Sequence, residues 1–554
     1  MGTMNELDKL RTRYTSHLDG LYDCVDRIVL NAYFQLGQRP GGFRMWWRSL
    51  KGSDDDLDKA HLMRLAGRFA RRLRAHAKAH EIPVIDYQAR ERKHEIADRY
   101  LPKEPDYVGV FAILVGRAPA PVWDVKRTKS GKIANIERKI SYVNHYYFQI
   151  MDPDWGHIVI RMSGHPPFSA QVILNGHDYV ARQVVRKELA FQKEDNCFTD
   201  VADIGQLIQI ADTLRSEDAV GQLEQVCERW IYSACLCFAL SLDEQFQTRF
   251  RYQYSVYQAE YSRNLLFQHG NQMEQLFQGI VDRTRSWLDV ERIKTIFGYK
   301  RRPFYHDKRR KPPRFEVVVE RPQYNLTIFK LHFGRLTVKM YTKGERVLRT
   351  EAVVHNTKVL RCGRSLPNFP QIVTELRQIL YRFLNALDCM DSSFISDDTL
   401  YEISHSGVLG KSRVAGIDLN KPRLQAVIQA VIALSMTPKG FVVSILAAKV
   451  REILGENTYS SRQASYDLRK LRAKHWVHRI AGSRKYQPTS HGLRTMTALL
   501  VLRNKVIMPL LAGSQHSQQP SKPHRSSPID ALYQSLQAEM HNLFLLLGIS
   551  THTV

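Results

Sequence analysis

Two short stretches carry the residue types of a metal-dependent nuclease. Pro105-Asp106 precedes an apolar segment, and Asp124-Val-Lys126 follows it. In this pattern two carboxylates hold Mg²⁺, and the lysine stabilises the attacking or the leaving oxygen. Glu137-Arg-Lys139 offers an alternative ending. Such short patterns also arise by chance in a highly charged chain, so Mg²⁺ is expected as a cofactor only if this nuclease hypothesis holds.

A second pattern consists of two tyrosines. Tyr257 and Tyr261 lie four positions apart in YQYSVYQAEYSR. A helix would place both on one face, which matches the spacing of paired nucleophilic tyrosines in nicking enzymes. The sequence has no His-hydrophobic-His triplet to hold a metal beside them. A tyrosine-rich packing helix is therefore the alternative interpretation.

Histidines and carboxylates also gather in one β-rich region. They are His157, His165, His177 and Asp178, together with the Asp152–Asp154 segment. These groups could converge on a metal if the strands align, but their spacing matches no recognised site. The DPDWG segment is also typical of an ordinary turn. His177 remains a candidate catalytic residue, and no metal site is assigned.

A segment near the C-terminus has the residue types of a nucleic-acid reader. The helix predicted in SRQASYDLRKLRAK begins after Ser460 and Ser461, either of which can cap it. Its period places Ala464, Leu468 and Leu471 on a core face. The residues expected to face outward are Arg462, Tyr466, Arg469 and Lys470. Arginine can bond guanine edges or phosphates, and tyrosine can reach the backbone.

The elements around this helix follow a recognisable order. Two apolar helices, at 422–435 and 441–454, precede it, and a strand, a turn at 481–483, a second strand and a helix opening at Thr489 and Ser490 come after it. Through this order and the segment DLRKLRAKHWVHRIAGSRKYQPTSHG, residues 421–512 resemble the winged-helix DNA-binding superfamily. The resemblance implies that the helix beginning at Arg462 enters the major groove and that the hairpin holds phosphates or the minor groove.

The same resemblance extends the set of expected contacts to Arg472, Lys474, Arg479, Arg484 and Lys485. Residues 421–512 contain 16 Lys and Arg but only three acidic residues. Charge and pattern therefore agree on a polyanionic partner. A winged helix used only for protein contact is the alternative, because folds do not fix function. Trp476 is expected in the core at the root of the hairpin.

Two further basic segments could assist. In KAHLMRLAGRFARRLRAHAKAH the helical period separates apolar residues from a basic face. The apolar residues are Leu62, Leu65, Phe69 and Leu73, and the basic ones are Arg64, Arg68, Arg71 and Arg72. A proline-punctuated arm carries Lys300, Arg301, Arg302, Lys308, Arg309, Arg310 and Lys311. A solvated helix face and a linker without contacts are the respective alternatives.

The chain as a whole is predicted to be an α+β multidomain protein with an antiparallel β-rich body. The predicted parts are a helical basic region at 1–100, a β-meander domain at 101–200, a helical region at 201–298, a basic linker at 299–314, a second β-rich block with helix at 315–420, the winged helix at 421–512, a flexible linker at 513–528 and a helix at 529–554. The last helix could mediate a partner contact or self-association through 529–548.

Composition limits the functional classes. The 554 residues carry a formal net charge of +26, and no apolar stretch approaches the roughly 18 residues that span a bilayer. The seven scattered cysteines are expected to be reduced thiols. No motif for nucleotide hydrolysis or dinucleotide binding is present. We expect a cytoplasmic protein with no membrane partner, nucleoid-associated if the source is bacterial.

Outside residues 421–512 the chain resembles a group of bacterial proteins of unknown activity that share YYFQIMDPDWGHIVIRM, QVILNG and VKMYTKGERVLRTE. The segment KMYTKGERVLRTE is also faintly similar to a strand pair of phage replication initiators. We expect sequence- or structure-specific duplex DNA binding, in replication initiation or mobile-element maintenance. The alternatives are a metal-dependent nuclease or nickase delivered by the winged helix, and a structured-RNA-binding protein whose YVNHYYFQ aromatics stack on bases. Whether the β-rich body is an enzyme stays open.

Overall fold

The structure, a computed structural model, describes residues 15–88, 91–288, 314–318, 328–391 and 402–508, with six isolated positions between 532 and 542. No helix within these residues is long and apolar enough to cross a membrane. The chain divides into two compact units. Of the described residues, the sheet unit comprises those within 15–278, 314–318 and 328–380, and the C-terminal unit comprises those within 279–288, 381–391 and 402–508, with the isolated positions beyond 508.

An eleven-stranded sheet forms the centre of the sheet unit. Its strands are β1 (Leu18–Phe34), β2 (Val84–Asp86), β3 (Gly109–Arg127), β4 (Ile133–Asp152), β5 (Gly156–Ser163), β6 (Ala170–Asn175), β9 (Tyr252–Phe267), β10 (Arg314–Val318), β11 (Ile328–Phe333), β12 (Leu336–Lys343) and β13 (Val347–Val354). Their order is β10-β11-β12-β13-β9-β1-β6-β5-β4-β3-β2. Only the β2–β3 pair is parallel among these described strands. A separate hairpin consists of β7 (Phe191–Glu194) and β8 (Cys197–Val201).

The predicted meander is confirmed, and it continues into the second β-rich block. Strands β3 to β6 pair antiparallel in sequence order. Strands β10 to β13 also pair in order, with the predicted hairpin turn between β12 and β13. Both blocks belong to one sheet, because β9 and β1 lie between them. The chain therefore does not form separate β domains at 101–200 and 315–420.

Strands β1 and β9 contradict the helical regions predicted at 1–100 and 201–298. Both strands lie in the middle of the sheet, and β1 pairs with β6 on one side and β9 on the other. Strand β1 is buried through most of its length, including consecutive residues such as Cys24, Val25 and Asp26. A strand that is covered on both faces loses the alternation of apolar and polar residues, so its sequence does not show the period of a strand.

Helices complete the sheet unit. They are α1 (Pro40–Lys51), α2 (Lys59–Ala79), α3 (Lys93–Asp98), α4 (Gly176–Arg186), α5 (Ile204–Thr213), α6 (Asp218–Trp230), α7 (Leu242–Gln247) and the first half of α8 (Gly270–Leu288), whose residues from 279 on belong to the C-terminal unit. The predicted apolar face of α2 is confirmed, since Leu62, Leu65, Phe69 and Leu73 are all buried. Phe69 stacks on Tyr146 with ring centroids 4.5 Å apart. Helices α4 and α5 pack on β1.

The C-terminal unit has the element order predicted for residues 421–512. Its main segment begins within α9 (Phe369–Asp391), whose residues up to 380 belong to the sheet unit. After α9 and the hairpin β14 (Gly407–Leu409) and β15 (Ser412–Val414) come α10 (Pro422–Leu434), α11 (Val443–Leu454), α12 (Ser461–Ala473), the hairpin β16 (Val477–Arg479) and β17 (Tyr486–Pro488), and α13 (Ser490–Val501). Helix α10 packs against α11, α12 and α13. It buries nine of its 13 residues and is therefore the central helix of this unit.

Candidate nucleic-acid interface

Helix α12 presents a basic face on an apolar base. Ala464, Leu468 and Leu471 are no more than 1% exposed, as their spacing predicted. Arg462 and Arg469 are exposed on the opposite side. Neither arginine forms a hydrogen bond or an ion pair with another residue in the described part of the chain. Both guanidinium groups are therefore available to an external anion.

The start of α12 is fixed by a capping box. The Ser460 side chain accepts a hydrogen bond from the Gln463 backbone N–H, and the Gln463 side chain accepts one from the Ser460 backbone N–H. This reciprocal pair satisfies two backbone donors that a helix end leaves open. It also places Arg462 in the first helical turn, where the helix dipole favours an anion.

Asp467 anchors the same helix from inside. Its carboxylate is fully buried and accepts hydrogen bonds from the Tyr459 hydroxyl at 2.9 Å and the Arg423 guanidinium at 3.3 Å. Burial raises the pKa of Asp467, although both partners favour its charged form. The helix is thus attached to the preceding segment and to α10, which restricts its rotation about its own axis.

Three basic residues predicted to contact nucleic acid are engaged within the protein instead. Lys470 is only 8% exposed, and its ammonium lies 5.3 Å from the centroid of the Tyr466 ring. Burial lowers the Lys470 pKa. The Arg472 guanidinium lies 5.9 Å from the Tyr486 ring, and Lys474 donates a hydrogen bond to the Glu402 carbonyl at 2.5 Å. The prediction that Lys470 faces outward is wrong, because the buried arc of α12 is wider than its apolar residues alone indicate.

The β16–β17 hairpin adds cations beside the helix. Arg479 and Arg484 are exposed, and Lys485 is half-buried. Arg479 donates a hydrogen bond from Nε to the Ser483 carbonyl at 2.8 Å. This bond does not use the two terminal nitrogens of its guanidinium. The hairpin is held by backbone hydrogen bonds between Phe441 and Tyr486 of 2.9 and 2.7 Å.

The core at the root of the hairpin is tightly packed. Trp476 is 3% exposed, as expected. A Cβ atom on Gly492 would lie 2.3 Å from the Trp476 Cα, so only glycine allows α13 to start this close to the hairpin. Thr489 caps α13 by accepting from the Gly492 backbone N–H. The hairpin therefore projects from a rigid base.

Helix α2 supplies a second basic surface, within the sheet unit. Arg64, Arg71 and Arg72 are exposed as predicted. Arg68 is not available, since it donates to both carboxylate oxygens of Glu244 at 2.7 and 2.9 Å. The arm Lys300–Lys311 and nearly all of the helix predicted at 529–548 lie outside the described residues.

The structure separates the nuclease candidates. Asp106 precedes β3, whereas Asp124 and Lys126 lie near its other end. At about 3.3 Å per residue, roughly 50 Å of strand lies between the two carboxylates, so they cannot share a metal ion. Asp124 instead pairs with Lys139 at 2.7 Å, and Lys126 pairs with Glu137 at 2.5 Å. Both are ion pairs between β3 and β4.

The tyrosine pair is also not a helical pair. Tyr257 and Tyr261 lie on β9, where four residues span roughly 13 Å. Tyr261 is buried, and its hydroxyl donates to Asp23 at 3.1 Å and accepts from Arg215 at 3.3 Å. These contacts assign Tyr261 to the interior of the sheet unit.

The histidine cluster likewise does not assemble. His157 bonds to the Gln149 side chain, His165 to the Pro166 carbonyl, and Asp178 to Lys193. Among the three histidines of this cluster, His177 is the one paired with a carboxylate: its Nδ1 lies 3.4 Å from Asp26 Oδ1.

The strand residues around Asp26 form an ionic network that the sequence reasoning missed. Its members are Asp26, Glu260, Lys339, Arg349 and Glu351. Burial raises the pKa of Glu260 to about 7, with neighbouring carboxylates adding to that effect and Lys339 opposing it. The sequence did contain a signal for this network, namely charged residues inside otherwise apolar strands. Burying a charged side chain is costly unless it pairs with an opposite charge.

No protein-family model, curated protein or solved structure matches this chain. Its function is therefore inferred from the geometry of each unit.

Proposed function

We propose that the protein binds duplex DNA through the C-terminal unit, with α12 in the major groove and the β16–β17 hairpin against the backbone, as in winged-helix proteins. The observation that carries this proposal is the pair of exposed arginines, Arg462 and Arg469, which have no partner among the described residues and lie on a helix whose opposite face is fixed in a core. Arginine in the major groove can bond guanine bidentately or hold phosphate.

Charge supports the same partner. Residues 421–512 carry an excess of 13 positive charges, half of the +26 of the whole chain. The hairpin residues Arg479 and Arg484 extend this charge beyond the helix. A polyanion gains affinity from each phosphate that such residues neutralise, through release of counterions. The exposed face of α2 offers additional phosphate contacts, and replication initiation or mobile-element maintenance is the proposed setting.

RNA recognition by the YVNHYYFQ aromatics has less support. Tyr146, Tyr147 and Phe148 are at most 7% exposed, so these rings cannot stack on bases without unfolding the sheet. Only Tyr142 of this segment's aromatic residues presents an exposed ring, at 65%. The nuclease alternative has no assembled centre among the residues that first indicated it.

Fluorescence anisotropy with labelled duplex DNA, single-stranded DNA and structured RNA tests the proposal. We expect the duplex to bind tightest, and expect Arg462→Ala with Arg469→Ala to weaken that binding by about tenfold or more. The matched control is Lys129→Ala with Lys132→Ala, which also removes two exposed positive charges but in the β3–β4 turn. Equal loss of binding in both double variants would show that only net charge matters and would overturn groove docking.

A further inference from the structure

A row of polar side chains crosses one face of the sheet. Tyr147 on β4 lies opposite Arg161 on β5, Arg161 lies opposite Gln171 on β6, and Gln171 lies opposite Asn31 on β1. Arg161 donates to Gln171 Oε1 at 3.2 Å, and Gln171 donates to Asn31 Oδ1 at 2.9 Å. Their strand neighbours on the opposite face are almost fully buried. Arg161, Gln171 and Asn31 are only half-buried, so this row reaches solvent.

A lysine from α3 joins the row at its Tyr147 end. The Lys93 ammonium lies 4.5 Å from the centroid of the Tyr147 ring and 4.9 Å from that of the Tyr87 ring. The Arg161 guanidinium lies 5.8 Å from the same Tyr147 ring. A Cβ atom on Gly116 would lie 2.4 Å from the Tyr87 ring, so glycine is required for that ring to pack here. Two cations therefore converge on Tyr147.

No carboxylate compensates these cations. Neither Lys93 nor Arg161 forms an ion pair in the part of the chain that the structure describes, and Arg161 Nε is buried without a hydrogen bond there. Burial lowers the pKa of the neighbouring His145 to about 4, and Arg161 and Lys93 add to this effect. Contacts with aromatic rings offset part of the cost of burying a cation, but they bring no negative charge. An anion would supply that charge.

The Tyr147 hydroxyl responds to the same positive potential. Burial acts to raise the Tyr147 pKa, but a hydrogen bond from Tyr87 and the charges of Arg161 and Lys93 outweigh burial and leave the pKa below its usual value. Nearby positive charges favour the ionised form of a phenol in this way. The same potential attracts an anionic ligand, and phosphate is the group that arginine and lysine bind best.

The far end of the row offers hydrogen bonds to a larger molecule. Asn31 Nδ2 donates to no residue that the structure describes, and Asn31 lies two strands from Arg161. At about 4.8 Å between strands, this separation is roughly 10 Å. A phosphate ester of the length of a nucleotide therefore reaches from the two cations to the Asn31 amide.

We propose that Lys93, Arg161 and the Tyr147 hydroxyl bind the phosphate group of a phosphate ester on this face of the sheet. The Asn31 amide then contacts the organic part of the ester. A free nucleotide and the 5′-terminal phosphate of a nucleic-acid strand share this chemistry. The site belongs to the sheet unit and does not depend on duplex binding by the C-terminal unit.

Isothermal titration calorimetry with inorganic phosphate tests the proposal. The full-length protein carries Arg462→Ala and Arg469→Ala, because the exposed arginines of α12 also attract phosphate. We expect one phosphate per chain, and Lys93→Met in this background should weaken binding by about tenfold or more, because a charged donor is lost. The control is Arg117→Met, which removes an exposed arginine from the opposite face of β3. Absence of stoichiometric phosphate binding, or equal loss in both variants, would overturn the site.

Tyrosine ionisation, followed by ultraviolet absorbance, gives a second measurement. We expect one tyrosine of the wild-type chain to ionise below the usual pKa and this step to disappear in Tyr147→Phe. Saturating phosphate should raise the pKa of that tyrosine, because a second negative charge nearby disfavours the phenolate. An ionisation curve that phosphate does not change would also contradict the proposal.

Competition distinguishes the two sources of the phosphate. The competitors are adenosine monophosphate and a 5′-phosphorylated DNA strand, each compared with its unphosphorylated counterpart. Displacement of phosphate by the mononucleotide alone would assign a free nucleotide, and displacement by the phosphorylated strand alone would assign a strand end. Displacement by neither, or equally by the unphosphorylated counterparts, would overturn binding of a phosphate ester.

Discussion

Tyr459 donates its hydroxyl hydrogen to Asp467 Oδ2 at 2.9 Å and thereby connects the segment before α12 to the buried side of that helix. The Asp467 carboxylate is fully buried, and its other oxygen accepts a hydrogen bond from Arg423 at 3.3 Å. The orientation of the exposed Arg462–Arg469 face therefore depends on a polar contact in the interior.

Tyr459→Phe should lower the free energy of unfolding of the C-terminal unit by about 1–3 kcal/mol, because a buried acceptor loses its donor. Urea denaturation followed by tryptophan fluorescence, which includes the buried Trp476, measures the change. Tyr466→Phe is the control, since that ring is 45% exposed. An unchanged urea midpoint for Tyr459→Phe would contradict the role of this hydrogen bond.

Salt dependence should distinguish groove binding from general attraction. Removing one cation that neutralises a phosphate reduces the slope of log K against log salt by about 0.9. Arg462→Ala with Arg469→Ala is therefore expected to reduce the slope by roughly 1.8 if both residues hold phosphates, and by less if one reads a base. Anisotropy titrations over a series of salt concentrations give the slope. A variant that binds more weakly but with a steeper slope than wild type would be inconsistent with this role of the two arginines.

Replacing Arg68 and replacing Arg71, both on α2, should have different effects on stability. Arg68 is paired with Glu244 and also donates to the Ala239 carbonyl, whereas Arg71 is exposed. Arg68→Ala should destabilise the sheet unit by about 1–3 kcal/mol, since the half-buried Glu244 carboxylate and the carbonyl of buried Ala239 lose a charged donor. Arg71→Ala should leave stability within about 0.5 kcal/mol of wild type. Thermal unfolding compares them, and equal effects would contradict the assignment of Arg68 to the interior.

Acid should weaken the contact between the DPDWG turn and α6. Arg229 donates to Asp152 at 2.5 Å and to Asp154 at 2.7 Å. Burial acts to raise the Asp154 pKa, but hydrogen bonds from Arg229 and Arg186 outweigh burial and leave the pKa below its usual value. The folded pKa lies below the unfolded one, so this contribution to stability is complete above about pH 5 and is lost as the pH falls below about 4.

Asp154→Asn therefore should cost stability at pH 7 and cost less at pH 3, where the wild-type carboxyl is largely protonated in the unfolded chain. Urea midpoints of both proteins between pH 3 and pH 7 check this expectation. Two parallel curves would show that Asp154 does not contribute to the pH dependence.

The sequence predicted the start and the buried face of α12 for a physical reason. Helix α12 buries one face, so the spacing of Ala464, Leu468 and Leu471 indicated its orientation, and Ser460 indicated its start. The same logic failed for Lys470, because a long side chain can lie along a core and keep its ammonium over an aromatic ring.

The interior of the sheet could not be predicted in this way. Asp26, Glu260 and Glu351 are far apart in sequence and meet only through strand order and the bulge in β1. Local spacing carries no information about which strands become neighbours. Asp106 and Asp124 show the converse error, since residues close in sequence are kept far apart by a long strand.

The position of β1 in the sheet also affects synthesis of the chain. This strand leaves the ribosome well before its partner β9, since Phe34 pairs with Tyr252 and Leu18 with Phe267. At about 5–20 residues per second, the nascent chain carries an apolar strand without its β9 partner for on the order of 10–50 seconds. Fragments that end before Tyr252 should therefore collect in the insoluble fraction, and efficient production of the whole chain should depend on chaperones that shield β1 until β9 emerges.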